Sequence, residues 1–373
     1  MINRKKYIVL GIMSGTSMDG LDCSIIETDG NEYSKILLEQ TFLYSSNYIA
    51  ELKKIIKYLP QHKNKQFIYS RKKEIIINKE IIKIIKNFLT ISKKNKINID
   101  LIGFSGQTIY HNPQQKYSLQ LGSGKWIFEK TKIPTVSNFR DNDLKNNGQG
   151  APIGAFYHKH ILKTIKGVNA IINIGGVSNI TYINKKKLYS YDICQGNSLI
   201  DDLCYYFFKK NYDKNGCIAK KGKIIIEILK EYRKNDFFLK KHPKSLDRNY
   251  FNNYLKILKK QDPYDAIKTA SMMTVFGIID NIKIINLSFE AIILTGGGRN
   301  NLFIFNKIKD KMKNLNIKLL KIDNYGLNGD MIESQMFGYL AVRSIKKLTL
   351  SNTNTTGVEK PLSGGKIFGR LKN

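Results

Sequence analysis

The sequence predicts a duplicated α/β protein: two units that each open on a meander of short strands and continue in alternating helices and strands. Length is the first reason, since 373 residues exceed what one hydrophobic core of about 250–300 residues accommodates. The second is a repeat of pattern. Three short apolar runs joined by tight turns, at Tyr7–Met13, Cys23–Thr28 and Ile36–Tyr44, have counterparts at Ala170–Ile174, Ile180–Ile183 and Leu188–Asp192. The third is that glycine-rich turns stand at equivalent places in both halves. Duplicated α/β units commonly hold a ligand in a cleft between them.

The opening residues copy a secretory signal, with basic residues before the apolar stretch Tyr7–Met13. That stretch is short, lacks a small-x-small cleavage site and runs straight into a glycine-rich turn, so it reads as a buried first strand. After the first meander, Ile49, Leu52, Ile56 and Leu59 fall at helical spacing, and Glu80–Leu89 continues a longer helix. Asp100–Phe104 is a buried strand ending in Ser-Gly-Gln-Thr. Ser118–Leu121 and Thr135–Phe139 are further strands with a short helix between, and Gly150–Leu162 is a helix entering the second unit. Beyond the second meander the helices are Asn197–Lys209, Lys223–Lys234, Asn249–Lys259 and Asp265–Ile285. Strand Ala291–Leu294 then runs into three glycines, a long helix spans Asp330–Lys347, and Ser351–Thr356 is a polar loop. With no low-complexity linker, the units are expected to share an intimate, hinge-like interface. They are assigned as residues 1–150 plus 345–373, and 151–344.

Hydrophobic residues make up 42% of the chain and aromatics 11%, which places it outside the disordered class. No apolar run approaches the roughly 18 residues of a membrane helix. The four cysteines (Cys23, Cys194, Cys204 and Cys217) form no C-x-x-C pair, so neither a disulfide framework nor a zinc site is expected, in keeping with a reducing cytosol. The net charge of +32 invites a nucleic-acid reading. Lysine, however, is spread along the whole chain together with abundant isoleucine and asparagine, all residues with A/T-rich codons, and runs such as Lys185–Lys187 read as solvated faces. No nucleic-acid or membrane partner is expected.

Three turns carry chemistry. The first is Gly15-Thr16-Ser17-Met18-Asp19-Gly20-Leu21-Asp22. Its backbone N–H groups and hydroxyls suit phosphate oxygens and its carboxylates suit magnesium held through water, but glycine and aspartate are equally favoured in a plain hairpin. The residues alone leave both readings open. The second turn, Asn173-Ile174-Gly175-Gly176-Val177-Ser178-Asn179, occupies the matching place in the second half. The third, Gly296-Gly297-Gly298, follows a buried strand and precedes a helix. Two phosphate-type hairpins at matching places resemble the signature of the actin, hexokinase and Hsp70 superfamily, and the third turn strengthens that resemblance. Gly122-Ser123-Gly124-Lys125 lacks the spacing of a conventional P-loop and reads as a plain turn.

The chain resembles the anhydro-N-acetylmuramic acid kinase family. The segments that carry the resemblance include GIMSGTSMDGLD (11–22), SGQTIYHNP (105–113), FRDNDLKNNGQGAP (139–152), INIGGVSNIT (172–181), YDICQGNSLIDD (191–202), PKSLDRNYF (243–251), LTGGGRNN (294–301) and GDMIESQMFGYLAVR (329–343). They occur in family order over nearly the full chain. The resemblance implies two ribonuclease H-like domains of the actin-like ATPase fold with a cleft between them. It also implies a cytoplasmic homodimer in cell-wall recycling, which uses ATP, Mg²⁺ and water to convert the small sugar 1,6-anhydro-N-acetylmuramic acid into N-acetylmuramic acid 6-phosphate. Carried over by position, Gly15–Asp22 would be the ATP phosphate loop, with Gly175, Gly176, Asn179, Gly296, Gly297 and Gly298 as further ATP contacts. Asp192 aligns with the catalytic aspartate, and Gln107, Arg140, Asp143 and Glu333 are expected as substrate or phosphate contacts. Read without the resemblance, Asp192 is a strand-end carboxylate capping the helix from Asn197, and Glu333 is helix-start capping chemistry.

The sequence departs from the family pattern at a few places. The family usually has Asp-Thr-Gly-Pro-Gly-Asn where this chain has Asp192-Ile193-Cys194-Gln195-Gly196-Asn197. It usually has His at Ser105, Asp at Asn138 and Gly at Asn147. Two other readings stand beside the leading one: a kinase of the same fold for an ordinary amino sugar or hexose, and a non-catalytic ATP- or nucleic-acid-binding protein.

Overall fold

The structure, a computed structural model, describes residues 6–15, 18, 20–58 and 71–371. Its contacts divide the chain into one unit of Met1–His160 with Met331–Asn373 and a second of Ile161–Asp330.

The first unit opens on an antiparallel meander, β1 (Tyr7–Ser14), β2 (Gly20–Thr28) and β3 (Ser34–Leu43). Helices α1 (Ser46–Tyr58) and α2 (Arg71–Lys94) lead to β4 (Leu101–Asn112), parallel to β1, with β5 (Tyr117–Leu121) folded back on its far end. Helix α3 (Gly124–Thr131) precedes β6 (Thr135–Ser137), parallel to β4, and α4 (Asp141–Lys145) and α5 (Ala155–Thr164) follow. Leu10 and Ile12 of β1 and Phe104 of β4 share an apolar cluster with Leu52 of α1 and Ile81 and Phe88 of α2. Each such side chain taken out of water contributes about 1.5–3 kcal/mol.

Two local readings change here. Gly122–Lys125 is a helix start rather than a plain turn: Ser123 is the N-cap of α3 and accepts the Trp126 N–H at 3.3 Å, so Gly124 and Lys125 are already helical. Helix α5 begins at Ala155 rather than Gly150, because Pro152 keeps the residue before it out of the helical region.

The second unit repeats the plan. Strands β7 (Ala170–Ile174), β8 (Val177–Asn184) and β9 (Lys187–Gln195) form its meander. Helices α6 (Ser198–Phe208), α7 (Ile226–Arg233), α8 (Asp236–Leu239), α9 (Asn252–Leu258) and α10 (Pro263–Ile285) follow. The start of α10 is fixed by Asp262, whose side chain accepts the N–H groups of Tyr264 and Asp265 at 2.9 and 3.0 Å, with Pro263 in the first turn where no donor is missed. Strand β10 (Ala291–Thr295) lies parallel to β7, and α11 (Leu302–Lys313) carries the chain to β11 (Lys318–Lys321), parallel to β10.

The strand order β11-β10-β7-β8-β9 matches β6-β4-β1-β2-β3 of the first unit, each with an antiparallel meander and two further parallel strands. This is the duplicated α/β plan that the sequence predicts and the ribonuclease H-like topology that the family resemblance implies.

Helix α12 (Ile332–Ile345) and the short strand β12 (Lys366–Phe368), antiparallel to β6, complete the first unit. The expected boundary at 344 gave α12 to the second unit. In the structure α12 packs on β1, β2 and β4, covering the face on which Gly11 and Gly103 alternate with the core residues of the opposite face. Among the described residues no helix is long and apolar enough to cross a membrane.

Candidate active site

In the second unit, strand register places a polar row across the sheet. Thr295 of β10 pairs with Asn173 of β7, Asn173 with Asn179 of β8, and Asn179 with Asp192 of β9. Residues directly opposite each other in a sheet share a face and lie about 5 Å apart. The Thr295 hydroxyl donates to Asn173 Oδ1 at 3.2 Å. A bulge between the Ser178 and Asn179 pairings leaves Ile193 as the extra residue of β9, a device that re-aims side chains beside functional sites. Asp192 is only 5% exposed. Its Oδ2 accepts the Leu246 N–H at 2.8 Å, while its own N–H donates to the Lys244 carbonyl at 3.0 Å.

The glycine turns lie at the ends of the same strands. The carbonyls of Gly175 and Gly176 accept the N–H groups of Asn197 and Gly196, so this turn is tied to the start of α6. Gly296 has a positive φ of 75°, and a Cβ there would run into Asn173 Oδ1 and sit 2.7 Å from the Ile174 carbonyl oxygen. Gly298 is buried. Gly297 alone of the three looks onto open space.

Sequence reasoning missed what holds this turn. Arg299 is 2% exposed and donates from Nε and Nη2 to Asp323, at 2.7 and 2.8 Å, and from Nη1 to Asp330 at 2.6 Å and the Gly296 carbonyl at 3.0 Å. The hydrogen bond from Arg299 is the main cause holding the Asp323 carboxyl down at about 2. Its unfolded value is about 3.9, so the pair's contribution is complete above about pH 4 and fades as pH falls through 2. Arg299→Met is therefore expected to cost about 1–3 kcal/mol at neutral pH. Denaturant midpoints measured from pH 7 downward should show the gap to wild type narrowing between pH 4 and pH 2. A gap that ignores pH would contradict this account.

The departures around Asp192 are mostly absorbed by the core. Cys194 is fully buried against Gly277 of α10, and burial pushes its thiol far up, so it is an inert packing group. Gln195 is 2% exposed, and neither polar atom of its amide has a hydrogen-bond partner.

In the first unit the glycine loop is shorter than expected. Ser14 pairs with Leu21 and Met13 with Asp22, and β2 begins at Gly20. Leu21 is fully buried core and Asp22 accepts the Thr41 hydroxyl at 2.6 Å, so these are strand residues rather than loop. Gly15 and Met18 are joined by a Met18 N–H to Gly15 carbonyl hydrogen bond of 3.2 Å, whereas Thr16, Ser17 and Asp19 lie outside the described residues. Gln107, 1% exposed, is committed to the stem of the loop. Its Nε2 donates to the Gly15 carbonyl at 3.0 Å, its Oε1 accepts the Ser14 hydroxyl at 2.5 Å, and Ser14 Oγ lies 2.5 Å from the Tyr44 hydroxyl.

Ser105, where the family usually has histidine, accepts the Ser14 N–H at 3.2 Å and donates to the Gly106 carbonyl at 2.8 Å. With Asn138 it lines a cavity of about 290 Å³ within this unit. Arg140 donates to the Gly150 carbonyl at 3.0 Å. Asp143 is 3% exposed, and its carboxylate accepts the Gly150 N–H at 2.6 Å and the Thr356 hydroxyl. It ties the 147–150 loop to the 355–357 segment. Nearby His111 is buried, and desolvation, with Arg140 beside it, drives it down to about 3, so its imidazole is neutral. Glu333 is half-buried in the first turn of α12. Among the described residues no group of three or more His, Cys, Asp or Glu side chains is placed to hold a metal.

A family model described as anhydro-N-acetylmuramic acid kinase matches residues 7–370. A protein of that name from Pelagibacter ubique (strain HTCC1062) is 35% identical over 379 residues, covering 97% of this chain and 98% of its own. Another from Zymomonas mobilis is 32% identical, covering 96% and 99%. A third, from Rhodopseudomonas palustris, is also 32% identical, covering 95% and 97%. Among solved structures, a ROK family glucokinase from Streptomyces griseus in complex with glucose and AMPPNP aligns at 10% identity over 90% of this chain and 99% of that one, with a TM-score of 0.40. That likeness is loose.

Proposed function

The chain belongs to the anhydro-N-acetylmuramic acid kinase family, and on that premise we propose Asp192 as the general base of its reaction. The enzyme is an ATP-using phosphotransferase of cell-wall recycling that converts 1,6-anhydro-N-acetylmuramic acid into N-acetylmuramic acid 6-phosphate. The observation that supports the assignment is a buried carboxylate near the end of β9, in register with Asn179 and anchored by hydrogen bonds at its own N–H and at Oδ2. In the proposed step Asp192 takes a proton from the water that attacks the anomeric carbon. The anhydro bridge opens as that C–O bond breaks, and the freed O6 attacks the γ-phosphate in line.

Gly15, Gly175, Gly176, Asn179 and Gly297 are proposed to approach the nucleotide phosphates through backbone donors and a side-chain amide. Glu333 and Arg140 remain proposed sugar or phosphate contacts, while Gln107 and Asp143 hold the loops that present them. Magnesium would come with the nucleotide, held on its phosphates and by water, and would offset charge on the transferring group. We place the enzyme in the cytoplasm as a homodimer, without nucleic-acid or membrane partners.

The test is the product formed from the anhydro sugar, ATP and Mg²⁺ in ¹⁸O-labelled water. The expected product is the 6-phosphate with one label on the anomeric hydroxyl. Phosphorylation of free N-acetylmuramic acid alone, with no label taken up, would instead identify an ordinary amino-sugar kinase.

A further inference from the structure

The segment around residues 243–246 lies outside the turns already described, yet it holds Asp192 at two points. The Lys244 carbonyl takes the Asp192 N–H at 3.0 Å, and the Leu246 N–H gives to the Asp192 carboxylate at 2.8 Å. A further anchor is Lys244 itself. Its side chain is buried, which is rare for lysine, and its ammonium donates to the Phe237 carbonyl of α8 at 3.0 Å while standing 4.4 Å from the centre of the Phe237 ring. A charge in this position costs desolvation unless it is held, and here a carbonyl, a π-face and the nearby Asp192 carboxylate hold it.

Resting on the reading of Asp192 as base, we propose that Lys244 is a positioning residue: its charged ammonium, clamped on Phe237, locks residues 244–246 and through their backbone sets the Asp192 carboxylate in its working orientation. The titratable groups that face it are Asp192 and the neutral Cys194 thiol of β9, and Lys240 and the neutral His242 of the turn that carries it. Burial lowers Lys244 to about 8, with Lys240 acting in the same direction and Asp192 and Cys194 opposing. Deprotonation near that pH removes the cation–π contact and weakens the hydrogen bond to Phe237, so the clamp loosens as pH rises.

The experiment compares wild type, Lys244→Met, Lys244→Arg and Asp192→Asn in the full chain, reading kcat, the KM for sugar and ATP, thermal midpoint and pH profile. Lys244→Met is expected to lower kcat by about 10- to 100-fold with KM for ATP unchanged, because small displacements of a reacting group carry penalties of that size. Lys244→Arg is expected to restore most of kcat and to extend the alkaline limb, since its guanidinium stays charged. A folded Lys244→Met with wild-type kcat and only a lowered thermal midpoint would overturn the proposal and leave Lys244 a structural anchor. Should Lys244→Met fail to fold, the alkaline limbs decide: identical limbs in wild type and Lys244→Arg overturn it. An inactive Asp192→Asn beside an unaffected Lys244→Met defeats only this inference, whereas a fully active Asp192→Asn defeats the base assignment as well.

Discussion

Asp192→Asn is expected to leave ATP binding in place while turnover falls by roughly 10²- to 10⁴-fold, the range a positioned general base supplies. At about 1.36 kcal/mol per decade, that is on the order of 3–5 kcal/mol of transition-state stabilisation. The substitution is nearly isosteric, and the amide oxygen can still accept the Leu246 N–H now given to Oδ2. Geometry should survive, so the loss falls on charge and basicity. This separates the catalytic role from the capping role, because asparagine caps a helix as well as aspartate does. If Asp192 served only the start of α6, Asp192→Asn would be almost silent. Calorimetry with a non-hydrolysable ATP analogue reads binding, and coupled ADP release reads turnover. Turnover within tenfold of wild type would refute the assignment. Asp192→Glu tests position, since its extra methylene must fit where the native side chain is only 5% exposed; it should keep a charge and still lose much of the rate.

Both meanders were legible in the sequence because their strands carry short apolar runs bounded by turn residues, and Ala170–Ile174 is buried at every position. The strand Lys318–Lys321 was not. It is two leucines between two lysines, and it is a strand only because β10 offers it parallel hydrogen bonds. The edge strand Lys366–Phe368 escaped for the same reason, being mostly exposed and defined by its pairing with β6. At the site, Asp192 was readable through the segment that carries it, whereas the row linking it to Asn179, Asn173 and Thr295 exists only in strand register.

The supports of the site were the least visible. Leu246 and Lys244 act on Asp192 through backbone groups, which leave no mark on residue type. Arg299 depends on carboxylates 24 and 31 residues away. Gln107 and Asp143 were recognisable as polar residues in the right segments. Their loop-holding hydrogen bonds depend on burial, and burial is set by tertiary packing.

Gly11→Ala should be the most damaging single methyl group in the first unit. Gly11 sits in the middle of β1, between Ser24 of β2 and Gly103 of β4, with α12 laid directly on it. An added Cβ would collide with the Ser334 carbonyl oxygen and come within 2.5 Å of the Gly338 nitrogen. Both are helix backbone atoms, so no side chain can swing aside, and α12 must move bodily off the sheet. Its neighbours resist that shift. Ser334 is bonded to Ser24 at 2.6 Å, Gln335 to Glu39 and to the Tyr157 hydroxyl at 2.6 Å each, and Leu340, Ala341 and Val342 are fully buried. The expected cost is on the order of 3–5 kcal/mol, a large part of the roughly 5–15 kcal/mol that keeps a domain folded. Displacing α12 also moves Glu333 in its first turn, so any folded fraction should lose activity too. Gly297→Ala is the control, since a Cβ there meets nothing within 4 Å and should leave stability within about 0.5 kcal/mol of wild type. Urea denaturation of the two variants side by side measures the difference. A Gly11→Ala protein as stable as Gly297→Ala would mean that α12 does not rest on β1 as closely as the backbone contacts require.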